Sequence, residues 1–133
     1  MFDFVDELFK NGVHDTEITG IEIDGLTVTL RFAKGVYLLD ESGKETALSK
    51  PCRYVIGLDK RFCRDADSVI DVEAVNRRAN RYLDIVDISS AHLGVQDVFF
   101  SPFNNTILID ASLEEDRLLI KIENVYSLNC IYE

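Results

Sequence analysis

The chain has 133 residues, 47% hydrophobic and 29% charged, and 24 acidic against 14 basic side chains give a net charge of −10. That length fits one domain able to bury a core without metal or disulfide staples, and the composition is that of a folded globular chain rather than a disordered one. The negative charge repels phosphate, which argues against nucleic acid and anionic membrane surfaces as partners, and no run of about 18 apolar residues offers a membrane-spanning helix.

The charge is uneven. Residues 1–66 carry 9 basic and 12 acidic groups, or −3, and residues 67–133 carry 5 and 12, or −7. A solvated surface accounts for such a charge. A field that draws in a basic partner accounts for it as well. Cys52, Cys63 and Cys130 are odd in number and form no Cys-x-x-Cys, so neither a disulfide framework nor a zinc ribbon is indicated. Cys52 and Cys130 read as small core residues of a reducing cytoplasm. The acidic start of the chain lacks the basic region of a secretory signal, which also points to a cytoplasmic protein.

Residues 2–10 read as a helix, with Phe2, Val5 and Phe9 on one stripe and Asn11-Gly12 as its stop. The apolar face of the first hairpin is its natural docking place. That hairpin is the strongest local signal: Ile21 and Ile23 lead into Asp24-Gly25, and Leu26, Val28, Leu30 and Phe32 lead out. A type I′ turn centred on Asp24-Gly25 pairs Ile23 with Leu26 and Ile21 with Val28, and a bulge at Thr19-Gly20 then returns Ile18 to the core face. A strand over 35–40, a turn over 41–44 and a strand through Cys52, Tyr54, Ile56 and Leu58 follow. Residues 59–65 read as a charged loop.

From Ser68 to Val75 a strand with Ile70, Val72 and Ala74 inward competes with a helix through Val69, Val72, Val75 and Ala79. The loop signal of Asn76 and Asn80 around Arg77-Arg78 favours the strand. A strand over 82–88 and a helical turn capped by Ser89 or Ser90 and ending at Gly94 come next. Strands then follow at 97–101 and 106–111, separated by a turn over 102–105. After the acidic turn Glu114-Glu115-Asp116, alternation through Leu118, Ile120 and Ile122, and through Tyr126, Leu128, Cys130 and Tyr132, runs to the end. The expected fold is mainly β (α+β): one domain over residues 1–133, an antiparallel sheet or sandwich of about eight strands with a short N-terminal helix packed on it.

Signals for chemistry are sparse. His14-Asp15 could join a base to its orienter, but neighbours on extended chain point to opposite faces. His92 has no metal-ligand spacing to His14, and neither a Gly-x-Ser-x-Gly nor a phosphate loop occurs. Cys63, beside Lys60, Arg61 and Arg64, is the cysteine whose thiol the neighbouring cations would activate. No catalytic residue, metal site or cofactor is assigned. The acidic groups of the last third are the candidate for binding. Asp110, Glu114, Glu115, Asp116 and Glu123 fall on neighbouring strands and turns, where they could form a surface for a basic partner.

The opening, with its short helix at Phe2–Lys10, His14-Asp15, Ile18–Ile21 and the aromatic-to-glycine segment Phe32–Gly35, resembles small, acidic, β-rich bacterial proteins of unknown function. Some of these are thought to be immunity proteins of polymorphic toxin systems. The resemblance covers about the first quarter of the chain. It implies a cytoplasmic bacterial protein that binds another protein, such as a toxin, and brings no catalytic residues with it. The expectation is therefore a non-enzymatic interaction module. The alternatives are an accessory or small-ligand-binding domain and a small hydrolase using His14 or Cys63.

Overall fold

The computed structural model describes residues 3–75 and 80–133. Among these residues the one α-helix, α1, is Asp3–Phe9. Among the described residues twelve strands follow: β1 (Glu17–Ile18), β2 (Gly20–Asp24), β3 (Thr27–Phe32), β4 (Tyr37–Leu39), β5 (Glu45–Leu48), β6 (Cys52–Leu58), β7 (Ile70–Val75), β8 (Asn80–Leu83), β9 (Leu93–Ser101), β10 (Thr106–Leu113), β11 (Asp116–Ile122) and β12 (Val125–Tyr132). All pairings are antiparallel. They build a six-stranded sheet, β1-β9-β10-β11-β7-β8, a four-stranded sheet, β12-β6-β3-β2, and the separate hairpin β4-β5.

The period-2 pattern explains the layering. Cys52, Tyr54, Ile56 and Leu58 of β6 are all buried, as are Val28, Leu30 and Phe32 of β3 and Ile70, Val72 and Ala74 of β7. They join Ile107, Ile109, Leu118, Ile120 and Ile122 of the larger sheet in one contiguous core, so the two sheets are packed face to face. Each fully buried Leu, Ile, Val or Phe contributes about 1.5–3 kcal/mol relative to exposure. Phe32 and Tyr54 meet edge to face inside this core, their ring centres 5.4 Å apart.

The first hairpin forms, but in a different register. Asp24 pairs with Thr27, Ile23 with Val28 and Ile21 with Leu30, so the loop is Gly25-Leu26. Gly25 has φ +60° and Leu26 is not left-handed, which is the type II′ arrangement rather than type I′. Each partner moves by two residues, so every side chain keeps its expected face. Ile18 is fully buried, though not through a bulge. Its strand, β1, pairs with β9 in the larger sheet, and the chain changes sheet at Thr19, whose N–H donates to the Arg31 carbonyl at 2.8 Å.

Other expectations are corrected. The strand count exceeds eight, partly because β5 carries no buried residue and so no alternation to read. Helix α1 packs chiefly against β12 rather than the first hairpin. Its Glu7 carboxylate accepts the Cys130 N–H at 3.3 Å, and Phe4 meets the Phe100 ring edge to face at 5.6 Å. The strand expected over 82–88 stops at Leu83. Residues Ile85–Ile88 form a 3-10 turn, with the Asp84 N–H donated to the Asp87 carboxylate at 3.2 Å. No helical turn ends at Gly94, because β9 already starts at Leu93. The loop expected around Arg77-Arg78 lies, for residues 76–79, outside the described residues.

A Cβ at Gly25 would meet nothing within 4 Å, so substitution there tests backbone strain alone. Gly25→Val should lower stability by about 1–3 kcal/mol in chemical denaturation, since a β-branched residue resists that φ. Gly35, at φ +80°, also faces the Ser49 carbonyl where a Cβ would stand, so Gly35→Ala should cost more than Gly25→Ala. Wild-type stability for Gly25→Val would contradict this turn.

Candidate functional site: the outer face of the six-stranded sheet

Because the inner sides of β7, β9, β10 and β11 are spent on the core, their alternate residues face outward. One row across the sheet is Phe99, Leu108, Lys121 and Asp71, and the next is Asp97, Asp110, Leu119, Glu73 and Tyr82. Phe99 is 49% exposed and Tyr82 75%, while Leu108 and Leu119 are half-buried between them. Leu108 and Leu119 thus occupy the middle strands of the face, Phe99 and Tyr82 stand at the ends of their rows, and charged side chains lie among and around them.

The charges pair only in part. Arg117 grips Asp110 with two hydrogen bonds, Nε to Oδ1 at 3.0 Å and Nη2 to Oδ2 at 2.8 Å. This bond and the carboxylate charge hold the guanidinium above its ordinary pKa. Lys121 lies 3.2 Å from Glu123 and 3.6 Å from Asp71, and its pKa is raised, first by the bond to Glu123. Asp97 stands directly opposite Asp110 at a bulge that leaves Gln96 as the extra residue of β9. One Asp97 oxygen accepts the Val98 N–H at 2.8 Å, and no cation among the described residues pairs with it. Among the described residues, Asp71, Glu73, Asp97, Asp110 and Glu123 therefore face only Arg117 and Lys121, which leaves the described part of the face net negative.

Of the five acidic residues singled out in the sequence, Asp110 and Glu123 belong to this face. Glu114 and Glu115 form the exposed tip between β10 and β11, with Glu114 left-handed at φ +57°. Asp116 opens β11 with its side chain 3.5 Å from Arg81. Glu123 lies at the opposite end of β11 from the tip, roughly 23 Å away at about 3.3 Å of rise per residue. The five form a band along one hairpin rather than one spot. Asp71, Glu73, Asp97 and the apolar centre were missed. Finding them requires knowing that β7, β9, β10 and β11 are neighbours in one sheet.

The candidates for catalysis have other partners. His14 pairs with Glu45 of β5, while Asp15, in a left-handed turn at φ +59°, donates its N–H to the Val95 carbonyl at 2.8 Å. His92 Nδ1 lies 2.8 Å from Glu17, whose other oxygen is 3.3 Å from Lys34. Among the described residues no group of three or more His, Cys, Asp or Glu side chains is placed to hold a metal.

Cys63 corrects an expectation. Its thiol donates to the Asp59 carbonyl at 3.2 Å, and burial, followed by the carboxylates of Asp59 and Asp65, pushes its pKa up. Of the neighbouring cations, Arg61 is already committed, since it bonds both Asp59 oxygens. Burial pushes the Cys52 thiol up further, to about 12.

Three hollows bear on ligand binding, one of them an open groove of about 360 Å³ beside Leu58, Asp59, Arg61 and Tyr126. The void between the sheets, lined by Leu30, Tyr54, Ile109 and their neighbours, is about 10 Å³, close to the least that a single water needs. An open groove of about 380 Å³ runs past Asp15, Glu17, Lys34 and Tyr37, where Lys34 and Glu17 already pair. No helix among the described residues is long and apolar enough to cross a membrane.

Set against known proteins, the chain matches no family model, no curated protein and no solved structure.

A raised thiol pKa means less thiolate at a given pH. At pH 7.5 iodoacetamide should therefore alkylate Cys63 more slowly than free cysteine and Cys52 more slowly still, with both rates rising as the pH rises. Mass-spectrometric labelling at each site checks this. Cys63 reacting faster than free cysteine would restore activation by the neighbouring cations.

Proposed function

We propose that the protein is a non-catalytic interaction module that docks a basic protein on the outer face of its six-stranded sheet, with the β10–β11 tip at the rim. The observation that carries this reading is an exposed sheet face with Leu108 and Leu119 on its middle strands, Phe99 at the end of one row, and, among the described residues, five carboxylates against two cations around them. An apolar middle with a charged rim is how protein interfaces are built, and the rim charges serve mainly to steer encounter. The net charge of −10 adds a long-range field of the same sign.

In its particular form this reading is an immunity protein that neutralises a basic toxin, which is what the likeness of the opening segment suggests. A small-ligand domain is the weaker reading, because the filled space between the sheets offers a ligand no room. A hydrolase is weaker again: His14 is engaged by Glu45, and Cys63 has a raised pKa.

The test uses the cognate partner, recovered by affinity capture from the native host, and stopped-flow association across a salt series. Replacing Glu114 and Glu115 with Gln and Asp116 with Asn should slow association several-fold at low salt and flatten its salt dependence. Dissociation should change little. The change in unfolding free energy should stay within about 0.5 kcal/mol, as for exposed turn residues elsewhere. Association of the wild type that is indifferent to salt would contradict the reading.

A further inference from the structure

We infer that Asp97 and Phe99 form a subsite for an arginine side chain of the docked partner. This rests on the docking reading above and narrows it to one chemical group at one place.

The geometry comes from β9. Asp97 and Phe99 are two residues apart on one strand and project from the same outer face, while Val98 and Phe100 turn inward to pack against the core. A carboxylate and an exposed phenyl ring therefore stand side by side, separated by about 6–7 Å of strand rise. The bulge at Gln96 lies directly beside Asp97, and a bulge increases the local twist of its strand. Asp110, directly opposite, is already held at both oxygens by Arg117. Asp97 Oδ2 and the Glu73 carboxylate of that row have no partner among the described residues, and of the two Asp97 is the one that shares its strand and face with an exposed phenyl ring.

The chain itself shows what such a pair accepts. In the loop after β6, Arg61 bonds both oxygens of Asp59 at 2.7–3.2 Å while its guanidinium carbon lies 5.4 Å from the centre of the Phe62 ring. There a carboxylate and a phenyl ring hold one guanidinium between them. Asp97 and Phe99 present the same two groups without the guanidinium. Arginine suits them better than lysine, because its planar group stacks on a ring and bonds a carboxylate at once, whereas an ammonium is a strongly hydrated point charge.

Two fluorescent peptides, one of six arginines and one of six lysines, serve as probes of the intact chain at low salt. Anisotropy gives their affinities, and 1H–15N spectra report the amides of β9, β10 and β11. The arginine peptide should bind about two- to fivefold tighter, as expected for a cation–ring contact at an exposed site, and should shift the Val98 and Phe99 amides. Phe99→Leu, which keeps an apolar side chain there, should erase the preference for arginine while leaving the lysine peptide unaffected. Asp97→Asn should weaken both peptides, the arginine one more. The Glu114→Gln/Glu115→Gln variant should weaken both equally. Equal affinity for the two peptides, or a preference that survives Phe99→Leu, would overturn the subsite and leave the docking face standing. Failure of both peptides to shift any amide of β9–β11 would overturn the docking face and the subsite with it.

Discussion

The burial of two sheet faces against each other is the constraint on which the rest of the structure depends. Val28, Leu30, Phe32, Tyr54 and Ile56 from one sheet and Ile107, Ile109, Leu118 and Ile120 from the other share one core. A sheet has only two sides, so this packing decides which residues are left for function. It also sets the places where the chain must leave one layer for the other. One is Thr19, between β1 and β2. Another is Asn124, left-handed at φ +60°, between β11 and β12. Asn124 is held there from both sides: its N–H donates to the Asn104 carbonyl at 2.7 Å and its carbonyl accepts the Asp59 N–H at 2.8 Å. An asparagine tolerates that backbone conformation better than most residues.

The sheets also have edges, which are open invitations to pair with another strand. The edge at β12 is guarded by α1, whose Glu7 carboxylate takes the Cys130 N–H. The edge at β2 is engaged by the loop after the 3-10 turn, through Ile21 N–H to the Ser89 carbonyl at 2.8 Å. A seven-residue helix is too short to persist alone, so α1 stands because Phe4 and Leu8 are buried. Both edges of the four-stranded sheet are thus engaged, and the outer face of the six-stranded sheet is where exposed side chains combine apolar area with charge.

The alternation that placed Cys52, Tyr54, Ile56 and Leu58 inward, and Leu118, Ile120 and Ile122 inward, was plain in the sequence because each strand is buried on one side only. It left 68–75 open between strand and helix, and the loop signal of Asn76 and Asn80 around Arg77-Arg78 tipped the reading to the strand that forms at Ile70–Val75. It was silent on β5, where all four residues are exposed, and misleading at 85–88, where Ile85 and Ile88 are buried from a 3-10 turn. The first hairpin was legible as a hairpin, but the loop register depended on whether Gly25 occupies the first or the second central position of the turn. Sheet membership was not legible at all. Alternation states which way a side chain points and not which strand lies beside it, so Asp110 and Glu123 were found without Asp97 or Glu73, their companions on the same face.

That companionship is the central claim: the acidic outer face of β7, β9, β10 and β11, rather than the acidic groups of the chain at large, meets the partner. Carbodiimide labelling of carboxylates with and without the bound partner, read residue by residue in the mass spectrometer, tests it most directly. The account predicts that Asp97, Glu114, Glu115 and Glu123 become protected while Asp6, Asp24, Asp65 and Asp67 label as in the free chain. Protection of Asp24, Asp65 and Asp67 with Asp97 still fully reactive would contradict it.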